Sequence, residues 1–76
     1  IFEGRKTLVA TACSASTQAL AIADLWLRTG RAERVLVGGI EVLCDLTIEG
    51  FRSLQLLSQE RCRPFDQHRK GINLSE

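Results

Sequence analysis

Cys13 is the residue of this sequence whose setting best suits covalent chemistry. It lies in a stretch of small and hydroxyl-bearing residues, Thr11-Ala12-Cys13-Ser14-Ala15-Ser16. The apolar run Leu8-Val9-Ala10 precedes it and predicts a buried strand over residues 7–11. Beyond Ser16, apolar residues recur with the spacing of one helical face, at Ala19, Ile22, Ala23 and Trp26. Cys13 is therefore predicted to lie in the turn between a strand and a helix.

A cysteine at that position has a favourable electrostatic environment. The first N–H groups of a helix lack intrahelical partners and carry roughly half a positive charge together. They stabilise a thiolate, which is the nucleophilic form, and they can also bind an oxyanion that develops on an attacked carbonyl. The alternative is an inert core cysteine, because free cysteines are among the most buried residues. The local sequence leaves both interpretations open.

The elements around Cys13 predict an α/β fold. A helix over residues 15–29 is expected to end at Gly30, a suitable left-handed C′ residue. Val35-Leu36-Val37 follows as a second apolar strand. A strand, a helix and a strand within about thirty residues predict a βαβ unit with parallel strands and a right-handed crossover. Because neither strand alternates, the sheet is expected to be covered on both faces, one of them by chain outside this sequence.

The second half of the sequence is less regular. A second helix is predicted over residues 47–57 from apolar residues three apart. A turn at Gly71 and the start of a further strand at Ile72 are also predicted. Glu41 is expected to anchor backbone N–H groups rather than act as a base. His68 lies in a charged stretch and is expected to be a surface residue.

Composition excludes several classes of protein. Ten basic and nine acidic residues are interspersed with few aromatic ones, which argues against nucleic-acid binding. No apolar run approaches the roughly 18 residues of a membrane span. Three widely spaced cysteines without a paired histidine predict neither disulfides nor a metal site, and they favour the reducing cytoplasm. A chain of 76 residues that opens on Ile1 is expected to be a piece of a longer protein.

Four motifs in order and register resemble the β-ketoacyl-ACP synthases, the thiolase-fold condensing enzymes of fatty acid and polyketide synthesis. They are Thr11-Ala12-Cys13-Ser14-Ala15-Ser16, Val37-Gly38-Gly39-Ile40-Glu41, Phe51 with Leu54 and Leu57-Ser58, and Arg63-Pro64-Phe65-Asp66 with Arg69 and Gly71. The resemblance covers nearly the whole chain. It implies that residues 1–76 are a segment of the N-terminal half of a layered, thiolase-like domain, incomplete without the rest of the chain.

The resemblance also implies an activity. Cys13 matches the acyl-accepting nucleophile of the family, which takes an acyl group from acyl carrier protein and condenses it with decarboxylating malonyl-ACP. Glu41, Asp66 and Arg69 match scaffold residues that tie loops around the site. No cofactor and no metal are expected. The parent protein is expected to be a homodimer, because pockets in this family lie close to the two-fold interface.

Some residues depart from the family's pattern. Ser75 precedes Glu76 where glycine is usual, Lys70 replaces an aspartate, and Asn73 lies in a normally apolar stretch. His68 matches neither of the two catalytic histidines, which the family supplies from its second half. The segment alone is therefore expected to be inactive. The alternative is a truncated or degenerate copy that acts as an interaction or scaffold piece; a thiolase proper, which lacks the R-P-F-D motif, ranks lower.

Overall fold

The computed structural model describes residues 3–76, which fall into two compact units with a boundary between Gly39 and Ile40. The regular elements in chain order are a 3-10 turn at Ala12–Ser14, helix α1 at Ala15–Arg28 and helix α2 at Asp45–Ser53. Neither of these helices is long and apolar enough to cross a membrane. The first unit contains the 3-10 turn and α1, and the second contains α2.

Helix α1 confirms the helix predicted over residues 15–29 to within one residue. Gly30 follows the C-cap with a φ of +69°, as expected for a left-handed C′ residue. The Gly30 N–H donates to the Leu27 carbonyl at 3.2 Å, and the Arg31 N–H donates to the Trp26 carbonyl at 2.9 Å. These two bonds form a Schellman motif, which satisfies carbonyl groups that the helix end would otherwise leave without partners.

The predicted apolar face of α1 is its less exposed face. Ala23 is the most buried of its residues, at 7% exposure, and the other members of the face are half-buried (Ala19, Ile22 and Trp26). The Arg5 guanidinium lies 5.7 Å from the centre of the Trp26 ring, within the range of a cation–π interaction. The spacing of apolar residues therefore identified the inward side of this helix correctly.

The two strands predicted around α1 are not confirmed. Residues 7–11 and 35–37 have no regular secondary structure and no strand partner among residues 3–76. A strand requires hydrogen bonds to a neighbour, so an apolar run alone does not make one. Leu8 and Leu36 are 91% and 76% exposed, so neither run is buried on both faces. The βαβ unit stays a prediction.

Helix α2 starts two residues earlier and ends four residues earlier than the prediction of 47–57, which was wrong at both ends. It starts after Cys44, whose backbone is extended at φ −140° and ψ 157°. It ends because Gln55 adopts a φ of +58°. The Gln55 N–H then donates to the Arg52 carbonyl, and the Leu56 N–H donates to the Phe51 carbonyl, at 2.9 and 3.2 Å. This is a second Schellman motif, with glutamine where glycine is usual.

In the second unit, a parallel β-bridge pairs Leu57 with Ile72 and so joins the segment after α2 to the segment after Gly71. The Ile72 N–H donates to the Leu56 carbonyl and the Ser58 N–H donates to the Ile72 carbonyl, each at 2.8 Å. Gly71 precedes the bridge with a φ of +133°, and a Cβ built there would collide with the Leu56 carbonyl oxygen. The turn predicted at Gly71 is not confirmed, since the turns of this segment lie at residues 64–65 and 67–68. The predicted strand at Ile72 is reduced to this single bridge.

Candidate functional site

Cys13 lies in the turn that leads directly into α1, at the middle of the 3-10 turn Ala12–Ser14. Its side chain is exposed. The predicted position before a helix is therefore confirmed, and the thiol is not part of a buried core within residues 3–76. We call residues 11–14 the Cys13 turn.

Two hydroxyl side chains close the Cys13 turn. Ser14 Oγ lies 2.9 Å from the Thr11 carbonyl oxygen and 2.9 Å from Thr11 Oγ1. The Ser14 N–H also donates to the Thr11 carbonyl, at 3.3 Å. Because a hydroxyl carries one proton, Ser14 donates to one of the two oxygens at a time. These bonds were not predicted from the sequence, although the three-residue spacing of two hydroxyls is a recognisable signal for such a turn.

The backbone of the Cys13 turn is sharply bent at the residue before the cysteine. Ala12 has a φ of +52°, in the left-handed region that residues other than glycine seldom occupy. The conformation costs on the order of 1 kcal/mol, which the hydrogen bonds between Thr11 and Ser14 offset. The bend places Cys13 at the apex of the turn.

The amino-terminal end of α1 is open to a negatively charged group. Ser14 is the N-cap, but its side chain is bonded back to Thr11 and makes no capping hydrogen bond. The first turn of α1 contains no acidic residue. Its N–H groups therefore keep the partial positive charge of a helix start, close in sequence to the Cys13 sulfur. This arrangement can bind an oxyanion.

Two of the sequence motifs come together at this end of α1. Ser16 lies in the first turn of the helix, and a Cβ built on Gly39 would lie 3.7 Å from Ser16 Oγ, in ordinary van der Waals contact. Gly39 therefore lies beside the first turn of α1. A Cβ at Gly39 would fit there without a clash, and one at Gly38 would meet nothing within 4 Å, so neither position requires glycine for space.

Cys44 has a distinct environment in the second unit. Its Sγ lies 3.2 Å from Thr47 Oγ1. Hydrogen bonds from the Thr47 hydroxyl and then from the Thr47 N–H lower the pKa of the Cys44 thiol. Asp45 occupies the first turn of α2 and neutralises part of its helix charge, unlike the first turn of α1. Sequence reasoning did not single out Cys44, although a cysteine three residues before a threonine at a helix start fits this pattern.

In the second unit, Asp66 and Arg69 form hydrogen bonds within their own loop. Asp66 Oδ1 accepts from the His68 N–H at 2.6 Å, and Arg69 Nη1 donates to the Asp66 carbonyl at 3.1 Å. His68 is exposed, which agrees with its predicted surface position. Glu41 is exposed as well. Within residues 3–76, no three His, Cys, Asp or Glu side chains are arranged to hold a metal ion.

Comparison with known proteins identifies the family. Residues 2–76 match the family described as β-ketoacyl synthase, N-terminal domain. Nodulation protein E of Rhizobium leguminosarum bv. trifolii is 38% identical over 69 residues, which cover 90% of this chain and 17% of that protein. The chloroplastic 3-oxoacyl-[acyl-carrier-protein] synthase I of Hordeum vulgare is 30% identical over 82 aligned positions, gaps included, which cover 99% of this chain and 18% of that protein.

The match extends to much larger synthases. The spectinabilin polyketide synthase system protein NorA' of Streptomyces orinoci is 41% identical over 66 residues, which cover 84% of this chain and 2% of that protein. No solved structure gives a significant match. The chain thus spans less than a fifth of each of these relatives. It belongs to the β-ketoacyl synthase family, whose N-terminal domain it matches over residues 2–76.

Proposed function

We propose that residues 1–76 are a segment of the N-terminal half of a β-ketoacyl-ACP synthase in which Cys13 is the acyl-accepting nucleophile. The observation that carries the proposal is the position of Cys13, exposed at the apex of a bent turn that opens directly into α1. The names of the relatives, which include a 3-oxoacyl-ACP synthase and a polyketide synthase system protein, support a role in fatty acid or polyketide synthesis.

The first step is transfer of an acyl group to the cysteine. The Cys13 thiolate attacks the carbonyl carbon of an acyl thioester, and the carbonyl oxygen becomes an oxyanion. The Cys13 N–H supplies one donor to that oxyanion, and the uncapped start of α1 contributes its partial positive charge. Collapse of the intermediate breaks the carbon–sulfur bond to the carrier and releases the carrier thiolate. The product is an acyl-cysteine.

The second step extends the chain. A malonyl thioester loses carbon dioxide, and the electron pair of the broken carbon–carbon bond forms a carbanion stabilised as an enolate. The carbanion attacks the acyl-cysteine carbonyl, a carbon–carbon bond forms, and the Cys13 thiolate leaves. The product is a β-ketoacyl thioester two carbons longer than the acyl group. The resemblance places two histidines of this step in the second half of the domain, so residues 1–76 do not condense substrates alone.

The proposal includes the partners that the resemblance implies. Acyl carrier protein delivers both thioesters, the intact protein is a homodimer, and it works in the cytoplasm. Support for a reducing compartment comes from the wide spacing of the three cysteines in the sequence. Neither a cofactor nor a metal takes part in the proposed reaction.

A product assay on the intact protein tests the proposal. Purified protein is supplied with acyl-ACP and malonyl-ACP, and β-ketoacyl-ACP is measured by mass spectrometry. The native protein is expected to form the product, Cys13→Ala is expected to form none, and the matched control Cys44→Ala is expected to keep the activity. Product formation by Cys13→Ala, or none by the native protein, would contradict the proposal. The second result would favour a non-catalytic scaffold piece.

A further inference from the structure

The side-chain amide of Asn73 binds three backbone groups of a neighbouring loop. Asn73 Oδ1 accepts from the Cys62 N–H at 2.7 Å. Asn73 Nδ2 donates to the Ser58 carbonyl at 3.1 Å and to the Glu60 carbonyl at 3.0 Å. The amide thereby uses both of its donors and one of its two acceptor sites. Its orientation follows from chemistry, since an N–H can only donate and a carbonyl can only accept. We call these three bonds the Asn73 clamp.

The Asn73 clamp takes the place of the next rung of a parallel ladder. Beyond the bridge at Leu57 and Ile72, a regular ladder would continue with a backbone N–H bonded to the Ser58 carbonyl. That carbonyl accepts from the Asn73 side chain instead. The Glu60 N–H donates a hydrogen bond to Ser58 Oγ at 3.1 Å. The side chain of Asn73 thus acts as a peptide group that ends the pairing after one bridge and fixes residues 58–62.

We infer that Asn73 is a positioning residue, which sets the loop 58–62 and, through it, the start of the Arg63–Asp66 motif. Cys62, which Asn73 binds directly, is the residue before that motif. Asn73 and Ser58 also line an apolar cavity of about 260 Å³. The hydrogen bond between them therefore fixes two of the residues that line this cavity. The presence of a polar residue in a stretch that the family normally keeps apolar is explained by this bonding. The inference does not depend on the role of Cys13.

The Asn73 clamp needs both the donors and the acceptor of an amide. Asn73→Asp keeps the volume and the acceptor toward Cys62 but places an oxygen opposite the carbonyls of Ser58 and Glu60. Asn73→Leu keeps a similar volume and removes every polar atom. A residue that only filled space would tolerate both changes. Asn73→Asp loses the two bonds to the carbonyls of Ser58 and Glu60, and Asn73→Leu loses all three bonds, so backbone groups of the loop lose a partner in both.

Amide hydrogen exchange on the intact unmodified protein gives the first test. The Cys62 N–H lies outside any helix or strand, yet its protection factor is expected to be at least about tenfold higher than that of a solvent-bonded amide. The comparison is the Arg61 N–H in the same loop, for which the described residues offer no such acceptor. Equal protection of the Cys62 and Arg61 amides would overturn the inference.

Alkylation of the Cys62 thiol in the intact protein gives the second test. Cys62 is half-buried, so its reaction with iodoacetamide reports opening of the loop. Asn73→Leu and Asn73→Asp are each expected to raise the Cys62 rate about tenfold, through loss of hydrogen bonds that hold the loop closed. Gln59→Leu, an exposed change in the same loop, is the matched control and is expected to leave the rate unchanged. The Cys13 rate in the same sample is the internal reference.

The two variants separate a clamp from a space-filling residue. Native Cys62 rates in both Asn73→Asp and Asn73→Leu would overturn the inference. General unfolding of a variant is monitored by far-UV circular dichroism, because Cys13 is exposed in the folded protein and its rate does not report folding. For a variant that loses the native signal, the exchange measurement on the unmodified protein decides.

Discussion

Ser14 Oγ lies 2.9 Å from the carbonyl oxygen of Thr11, so a side-chain hydrogen bond joins the residues on the two sides of the Cys13 turn. The bond spans Ala12, whose φ of +52° makes the chain turn back on itself. It also prevents the Ser14 side chain from capping α1, which leaves the helix start available to another negative group. One side chain therefore both shapes the turn and keeps the helix end open.

Removal of this hydroxyl is expected to slow the chemistry of Cys13. In Ser14→Ala the turn loses a hydrogen bond with a net contribution of about 1 kcal/mol, so the rate of acyl-cysteine formation should fall about fivefold. Ser14→Thr keeps a hydroxyl and is expected to retain most of the rate. The measurement is single-turnover acylation of the intact protein. An unchanged rate in Ser14→Ala would show that the bond does not position Cys13.

Gly71 is expected to be intolerant of a side chain. Its φ of +133° is strained for any other residue, and a Cβ there would meet the Leu56 carbonyl oxygen. Gly71→Ala should therefore lower the free energy of unfolding by about 1–3 kcal/mol, measured by urea denaturation of the intact protein. Gly50→Ala is the matched control, because Gly50 lies inside α2 with nothing within 4 Å of an added Cβ. That change should raise stability by about 0.5–1 kcal/mol. Equal effects of the two changes would contradict the account.

The pH dependence of Cys44 alkylation is expected to follow its bond to Thr47. The Thr47 hydroxyl, and then the Thr47 N–H, lower the pKa of the Cys44 thiol. A lowered pKa means that the thiolate is populated at lower pH. Thr47→Val removes the hydroxyl but keeps the N–H, so the pKa should rise and the midpoint of the alkylation curve should move to higher pH. Thr47→Ser is the control and should keep the native midpoint; a shift to lower pH in Thr47→Val would be the opposite of the prediction.

The first helix was predicted from the sequence and is confirmed, whereas the two strands stay predictions, for one physical reason. Helix α1 depends on bonds within its own segment, so apolar spacing and Gly30 were sufficient to place it. A strand depends on a partner, and residues 7–11 and 35–37 have none among the described residues. The end of α2 was also beyond prediction, because Gln55 adopts a conformation for which glycine is the usual signal.

The candidate site was predictable in its location and not in its details. The change from an apolar run to a helical pattern placed Cys13 before α1. The bond between Thr11 and Ser14 was not foreseen, because small polar side chains have several local partners and the choice depends on backbone angles. The role of Asn73 was also not foreseen, since its three partners lie 11 to 15 residues away in the sequence.

Mapping of the acyl adduct tests the central claim most directly. The intact protein is incubated with acyl-ACP without malonyl-ACP, so that the reaction stops at the acyl-enzyme, and the modified peptide is identified by mass spectrometry. We predict one acyl group, bound as a thioester to Cys13 and absent from Cys13→Ala. An adduct on Cys44 or Cys62 with Cys13 unmodified would contradict the account.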